Sequence, residues 1–164
     1  MKKKEIYIVL DNIRSRENVG SIFRTADGAG VTKIYLCGIT PTPKNVEFRI
    51  LNLESDKIAK TALGAEKWVL WEYYRQTSRC LSELKIKNEN LKIIGLEKTK
   101  NSQSIFSFKP KFPVALVVGN EVKGLSTVIL KKCDKIVAIP MYGKKESLNV
   151  AVAAGIAVYI IRYT

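Results

Sequence analysis

Val114-Ala115-Leu116-Val117-Val118 runs without a polar break into Gly119-Asn120-Glu121-Val122-Lys123-Gly124. A continuous apolar run of this length reads as a strand covered on both faces, and such strands belong to parallel sheets in α/β proteins. Similar runs recur at Glu5–Leu10, Lys33–Cys37, Trp68–Trp71, Leu91–Leu96 and Lys135–Ile139. Helical segments separate them: Asn18–Ala29, with Ile22, Phe23, Ala26 and Ala29 on one face, then Lys57–Leu63, Tyr73–Lys85 and Leu125–Lys132. The alternation predicts an α/β fold, a mainly parallel sheet with helices on both faces. Thr40–Lys44 and Asn101–Pro113, each holding two prolines, read as loops. No composition break or internal repeat marks a second unit, so residues 1–164 are expected to form one domain with nothing appended.

The formal charge is +13 over 164 residues, and 46% of the residues are hydrophobic. That apolar share excludes wholesale disorder, and the charge points to a polyanionic partner, nucleic acid ahead of a membrane surface; charge kept for solubility is the plain alternative. The chain holds no histidine, which excludes His-dependent triads and most zinc sites; no metal is expected. Cys37, Cys80 and Cys133 lie far apart and form no CxxC pair, as suits a reduced, cytoplasmic setting. Met1-Lys2-Lys3-Lys4 leads straight into a strand pattern without the apolar region of a signal peptide. Val150–Ile161 is apolar all round, too short for a membrane span of roughly 18 residues or more, and reads as a buried or interface helix.

In open α/β sheets ligands sit beyond the carboxyl ends of the strands. Three polar clusters fall at such places. The first, Asp11–Arg24, carries Arg14, Arg16 and Arg24 around a helix start, with Asn18 suited to the N-cap. A stray surface arginine is the plain reading of Arg24. The second, Gly119–Ser126, nearly matches the phosphate-binding GxxxxGK[ST] loop, but Leu125 stands where the lysine belongs, which counts against a nucleotide triphosphatase. It otherwise reads as a strand-to-helix turn with an exposed glutamate. The third, Pro140–Asn149, opens the terminal apolar helix; Ser147 and Asn149 are either a cap and first-turn residue or polar groups turned into a site. Convergence of the three clusters is expected from the sheet rule alone.

Taken together, Asn18…Arg24, Gly119-Asn120-Glu121…Gly124 and Ile139-Pro140-Met141…Ser147-Leu148-Asn149-Val150 resemble the three motifs of the SpoU/TrmH family of RNA ribose methyltransferases, in order and spacing, across nearly the whole chain. The resemblance implies a SPOUT-type fold with a deep trefoil knot in the C-terminal part, an exception to ordinary chain topology. It implies S-adenosylmethionine (S-adenosyl-L-methionine) as cofactor, and a homodimer formed through the C-terminal helix. Carried over by position, it implies catalytic roles for Asn18, Arg24, Glu121, Ser147 and Asn149. Cofactor contacts are implied at Leu96, Gly119, Asn120, Glu121, Gly124, Ile139, Pro140, Met141, Ser147, Leu148 and Asn149. The substrate implied is a ribose 2′-hydroxyl of tRNA or rRNA, with Arg14, Arg16, Arg24, Lys98, Lys100, Lys109, Lys111, Lys144 and Lys145 as candidates for its phosphates. Two other readings stand beside this one: a non-catalytic RNA-binding module that keeps the fold, and a dinucleotide enzyme, which lacks GxGxxG after any strand.

Overall fold

The computed structural model describes residues 4–43 and 56–164. Among the described residues seven strands form one sheet: β1 (Ile6–Asp11), β2 (Lys33–Cys37), β3 (Trp71–Tyr74), β4 (Lys92–Leu96), β5 (Gln103–Ser104), β6 (Val114–Val118) and β7 (Lys135–Ala138). Their order is β3-β2-β1-β6-β4-β7-β5, and every pairing is parallel. Among the described residues the α-helices are α1 (Arg16–Gly28), α2 (Asp56–Ala62), α3 (Thr77–Lys87), α4 (Thr127–Lys132) and the terminal α5 (Val150–Tyr163).

The period-2 alternation of a strand divides the core. Ile6, Ile8 and Leu10 of β1 pack with Ile22, Phe23 and Ala26 of α1, Ile58 of α2, and Ala154, Ala157 and Val158 of α5. Val9, Tyr35, Cys37 and Val117 face the other way, against Cys80, Leu81 and Leu84 of α3 and Ile129 of α4. Helices therefore cover both faces, as the apolar runs require. The free thiols of Cys37 and Cys80 belong to this second core. Among the described residues no helix is long and apolar enough to cross a membrane.

The third strand and the third helix start three and four residues later than expected, and one strand lies where none was expected. The third strand is Trp71–Tyr74 rather than Trp68–Trp71. Gly64 takes φ 97, residues 65–67 form a 3-10 turn, and the Trp68 indole N–H donates to Asp27 at 2.9 Å, so pairing with β2 starts only at Trp71. Tyr73 and Tyr74 then pair with Leu36 and Cys37, which delays α3 to Thr77. A two-residue strand, β5, lies inside the polar segment read as a loop; its residues pair with Val137 and Ala138 of β7. Lys44, at the end of the other expected loop, lies outside the described residues.

The terminal helix is not without a solvated face. Val150, Ala154, Ala157, Val158 and Ile161 are buried, whereas Val152, Tyr159 and Tyr163 are 51%, 41% and 80% exposed. Arg162 folds back, donating to the carbonyls of Ala29, Lys4 and Gly30 at 2.9, 2.7 and 2.6 Å. Helices α1 and α5 lie side by side and parallel: Asn149 bonds Asn18, Gly155 packs near Thr25, and Arg162 bonds Ala29, a nearly constant offset along both helices.

Candidate active site

Beyond Val118 the chain turns through Gly119–Leu125. Asn120 closes this turn, its Oδ1 accepting from Val122 N and Lys123 N at 2.9 Å each, an Asx arrangement that fixes local backbone. Its Nδ2 donates to Asn12 O at 2.8 Å, tying the second polar cluster to the first. Glu121 then reaches the start of α1, where it accepts from Arg14 N (3.0 Å), Ser15 N (2.9 Å) and Asn18 Nδ2 (3.2 Å).

Ser15, not Asn18, is the N-cap of α1. The helix begins at Arg16, and the Ser15 hydroxyl accepts from Asn18 N at 3.1 Å. With the backbone capped by serine, the Asn18 amide is available for longer-range bonds. It donates to Glu121 and accepts from Asn149 Nδ2 at 3.1 Å. Asn149 in turn caps α5, accepting from Ala151 N (2.9 Å) and Val152 N (3.3 Å). One chain of hydrogen bonds, Glu121–Asn18–Asn149, therefore joins all three polar clusters.

Burial acts to raise the Glu121 carboxyl, but the bonds from Ser15 N, Arg14 N and Asn18 Nδ2 outweigh it and hold the group below the ordinary glutamate value. A depressed folded-state pKa contributes stability that is complete above the unfolded value and is lost as pH falls through the folded one. Denaturant unfolding followed from neutral pH into the acid range is therefore expected to show a smaller stability loss for Glu121→Gln than for the parent chain. Identical slopes would remove the carboxylate from this linkage.

Asn149 holds two jobs that a pair of variants separates. Asn149→Asp keeps a cap acceptor but loses the donor to Asn18, so stability should hold while activity falls. Asn149→Ala loses both and should also cost about 1 kcal/mol of stability, the usual worth of a cap. Equal activities for Asp and Ala variants with only stability differing from the parent would leave Asn149 as a cap alone.

A cavity of about 200 Å³, open to solvent on one side, lies against this chain beyond the carboxyl ends of β4, β6 and β7. Leu96, Val118, Ile139, Leu148 and Val150 supply apolar walls, while Glu97, Lys98, Glu121 and Glu146 supply charge. Glu97 braces the turn, accepting from Leu125 N at 2.8 Å and Lys98 N at 3.0 Å.

Residues 5–159 match the family model described as the SpoU rRNA methylase family. The chain belongs to this family. It is 32% identical over 158 residues to a tRNA (guanosine(18)-2'-O)-methyltransferase of Aquifex aeolicus, covering 96% of this chain and 69% of that protein. It is 31% identical over 160 residues to a 23S rRNA (guanosine-2'-O-)-methyltransferase of Haemophilus influenzae, covering 98% and 60%. The AdoMet-bound rRNA methyltransferase from Sinorhizobium meliloti superposes with a TM-score of 0.83 at 25% identity, over 99% of this chain and 57% of that one. The chain thus spans about three fifths of the length of the latter two.

Within the SpoU frame the sequence-derived residues sort clearly. Leu96, Gly119, Asn120, Glu121, Gly124, Ile139, Met141, Ser147 and Leu148 line the cavity. Pro140 and Asn149 do not; Asn149 is drawn to its cap and to Asn18 instead. Arg24 also lies outside the lining, exposed on α1 and without an ion pair to any described residue. Six residues of helix carry it about 9 Å along the axis from Asn18.

Of the basic residues, Lys98 lines the cavity, and exposed Lys144 and Lys145 sit in the loop that leads to it. Lys100, exposed two residues beyond Lys98, is not in the lining. Arg14 stands beside Glu121, and half-buried Arg16 opens α1. The segment after β5 returns to the amino edge to begin β6, where Lys4 stacks on Phe112; Lys111 sits at that end of the sheet and Lys109 on the way to it, neither in the cavity lining. Glu97 and Glu146 were missed by the sequence reading; the position directly after a strand's last residue was the available signal for Glu97.

Proposed function

We propose that the protein transfers the methyl group of S-adenosylmethionine to a ribose 2′-hydroxyl of tRNA or rRNA. The Glu121–Asn18–Asn149 chain, set at the rim of a nucleoside-sized cleft, carries this reading, and the printed activities of the 31–32% identical relatives support it. The cavity's chemistry suits the cofactor: aliphatic walls for an adenine ring, carboxylates from Glu97 and Glu146 for cationic centres, and Lys98 for a carboxylate. S-adenosylmethionine supplies an already activated methyl, so the protein's task is alignment and easing loss of the hydroxyl proton.

Glu121 spends its lone pairs on fixed N–H groups, which suits it to positioning Asn18 rather than to taking a proton. Arg24 offers a planar fork of N–H donors that matches phosphate oxygens. Its role is to clamp the phosphate beside the target ribose and stabilise the developing alkoxide, the proton leaving to that phosphate or to water. Ser147 and Asn149 order the rim.

Two copies pair through α5, whose exposed Val152, Tyr159 and Tyr163 offer the surface. Because α1 runs beside α5, that pairing places Arg24 at the boundary between copies, so one copy's arginine serves its partner's cavity. The C-terminal part is proposed to carry the trefoil knot of the family, a reading with which β7 lying between β4 and β5 is compatible. The reaction takes place in the cytoplasm, where Cys37 and Cys80 stay as thiols.

Incubation with tritiated S-adenosylmethionine and bulk tRNA or rRNA tests the reading. Label should enter alkali-resistant dinucleotides, because a 2′-O-methyl removes the hydroxyl that alkaline cleavage needs. RNA binding without label transfer would make the chain a non-catalytic module.

A further inference from the structure

A second cleft, of about 710 Å³, opens on the same edge of the sheet, beyond β1, β2 and β3 and beside the first turn of α3. Asn120, Val122 and Gly124 line both this cleft and the cofactor cavity, so the 120–124 turn is their common wall. One side is the 38–40 turn, which is held with unusual care. Asn12 takes the positive φ of 56, and its Oδ1 accepts from Ile39 N at 3.1 Å. Gly38, at φ 65, leaves no room for a side chain: a Cβ there would lie 2.0 Å from that same oxygen. Gly38 N donates to Tyr74 O at 3.0 Å, Tyr73 OH donates to Gly38 O at 2.9 Å, and Thr40 Oγ1 bonds the Leu10 and Cys37 carbonyls.

This fixed turn presents Ile39 with 64% of its surface in water, and Val122 and Val128 are 80% and 61% exposed. Arg14, Arg75 and Lys123 also line it and are exposed. Asp11 is the one carboxylate of the described lining, and it is buried in the floor, bonded by the Thr77 hydroxyl and by Asn12 Nδ2. Rigidly held aliphatic surface ringed by cations, with its carboxylate turned inward, matches a ligand that is flat and apolar in one part and anionic in another. An unstacked nucleotide has that character, and guanidinium planes also stack on bases.

We propose that this cleft holds a nucleotide neighbouring the target in the RNA strand, its base against Ile39 and Val122 and its phosphate on Arg75, Lys123 and Arg14. The inference rests on the RNA methylation reading above. The shared wall supports it, since a strand whose ribose enters the cofactor cavity can continue across the 120–124 turn into this cleft. Ile39, Arg75, Val122 and Lys123 would then bear on which RNA context is accepted, independently of the methyl-transfer chemistry.

The test uses fluorescein-labelled decauridylate, read by anisotropy on the full chain, with S-adenosylmethionine affinity measured by calorimetry on the same samples. Ile39→Asp and Arg75→Glu should each weaken oligonucleotide binding about tenfold or more, and Ile39→Val should retain it. Lys67→Glu makes the same charge change at the amino edge of the sheet and should cost less than about threefold. For Arg75→Glu the slope of log affinity against log salt should fall by about 0.7 or more, the loss of a phosphate contact on a single strand. Cofactor affinity should stay within about twofold throughout, which also reports that each variant is folded. Loss shared equally by Lys67→Glu, or binding that survives Ile39→Asp and Arg75→Glu, overturns the cleft while leaving the methyltransferase reading intact. A parent chain that binds S-adenosylmethionine but neither decauridylate nor bulk RNA ends the RNA reading and this proposal together.

Discussion

Arg24→Ala is expected to lower methyl transfer by about 10²- to 10³-fold, the usual consequence of removing a group that stabilises a developing oxyanion. Affinity for S-adenosylmethionine should stay nearly unchanged, because Arg24 lies outside the cavity lining and is exposed on α1. Stability should also hold, since its side chain forms no ion pair with any described residue and leaves no buried partner behind. Arg24→Lys should recover only part of the rate: a point charge replaces a planar fork suited to phosphate. Single-turnover rates at saturating cofactor make the measurement, and an unchanged rate would take Arg24 out of the reaction.

The same residue shows where the sequence stops being informative. Strand and helix order follow from short-range pattern, because two-sided burial leaves unbroken apolar runs such as 114–118 and one-sided packing leaves Ile22, Phe23 and Ala26 on one face of α1. The meeting of the three polar clusters also follows, since parallel strands deliver their carboxyl ends to one edge. Which polar group bonds which does not follow. Ser15 and Asn18 are both good caps, and the choice rests on where α1 starts, which Glu121 helps to set from more than a hundred residues away. The third strand slipped by three residues because Trp68 looks like a strand residue but is spent on a hydrogen bond to Asp27. β5 left no pattern at all, since two polar residues join the sheet only because β7 lies beside them. Likewise, nothing in the spacing of basic residues distinguishes Lys98, at the cavity, from Lys111, on the way to the opposite edge.

Gly119→Ala should have the largest effect on cofactor binding. A Cβ built on Gly119 would stand 2.6 Å from the Gly124 carbonyl carbon and 2.7 Å from Leu125 N, distances real Cβ atoms do not adopt. Both neighbours are backbone, so no side-chain rotation relieves the clash, and the 119–125 turn must move as a unit. Movement there strains the Asn120 turn, the bond from Leu125 N to Glu97, and the placement of Glu121 against α1. Overpacking of this kind costs about 1–3 kcal/mol in a well-packed site. Because the turn is one wall of the cavity, the cofactor should lose about a hundredfold or more in affinity by calorimetry. Gly143→Ala provides the contrast, as its Cβ would meet nothing within 4 Å, and both stability and affinity should be retained. Mixing Gly119→Ala with Arg24→Ala tests the proposed pairing of copies. Each variant alone lacks one component, so activity returning on mixing means that cavity and arginine come from different copies. Activity that stays absent, with each variant folded and subunits shown to exchange, would place both in a single chain.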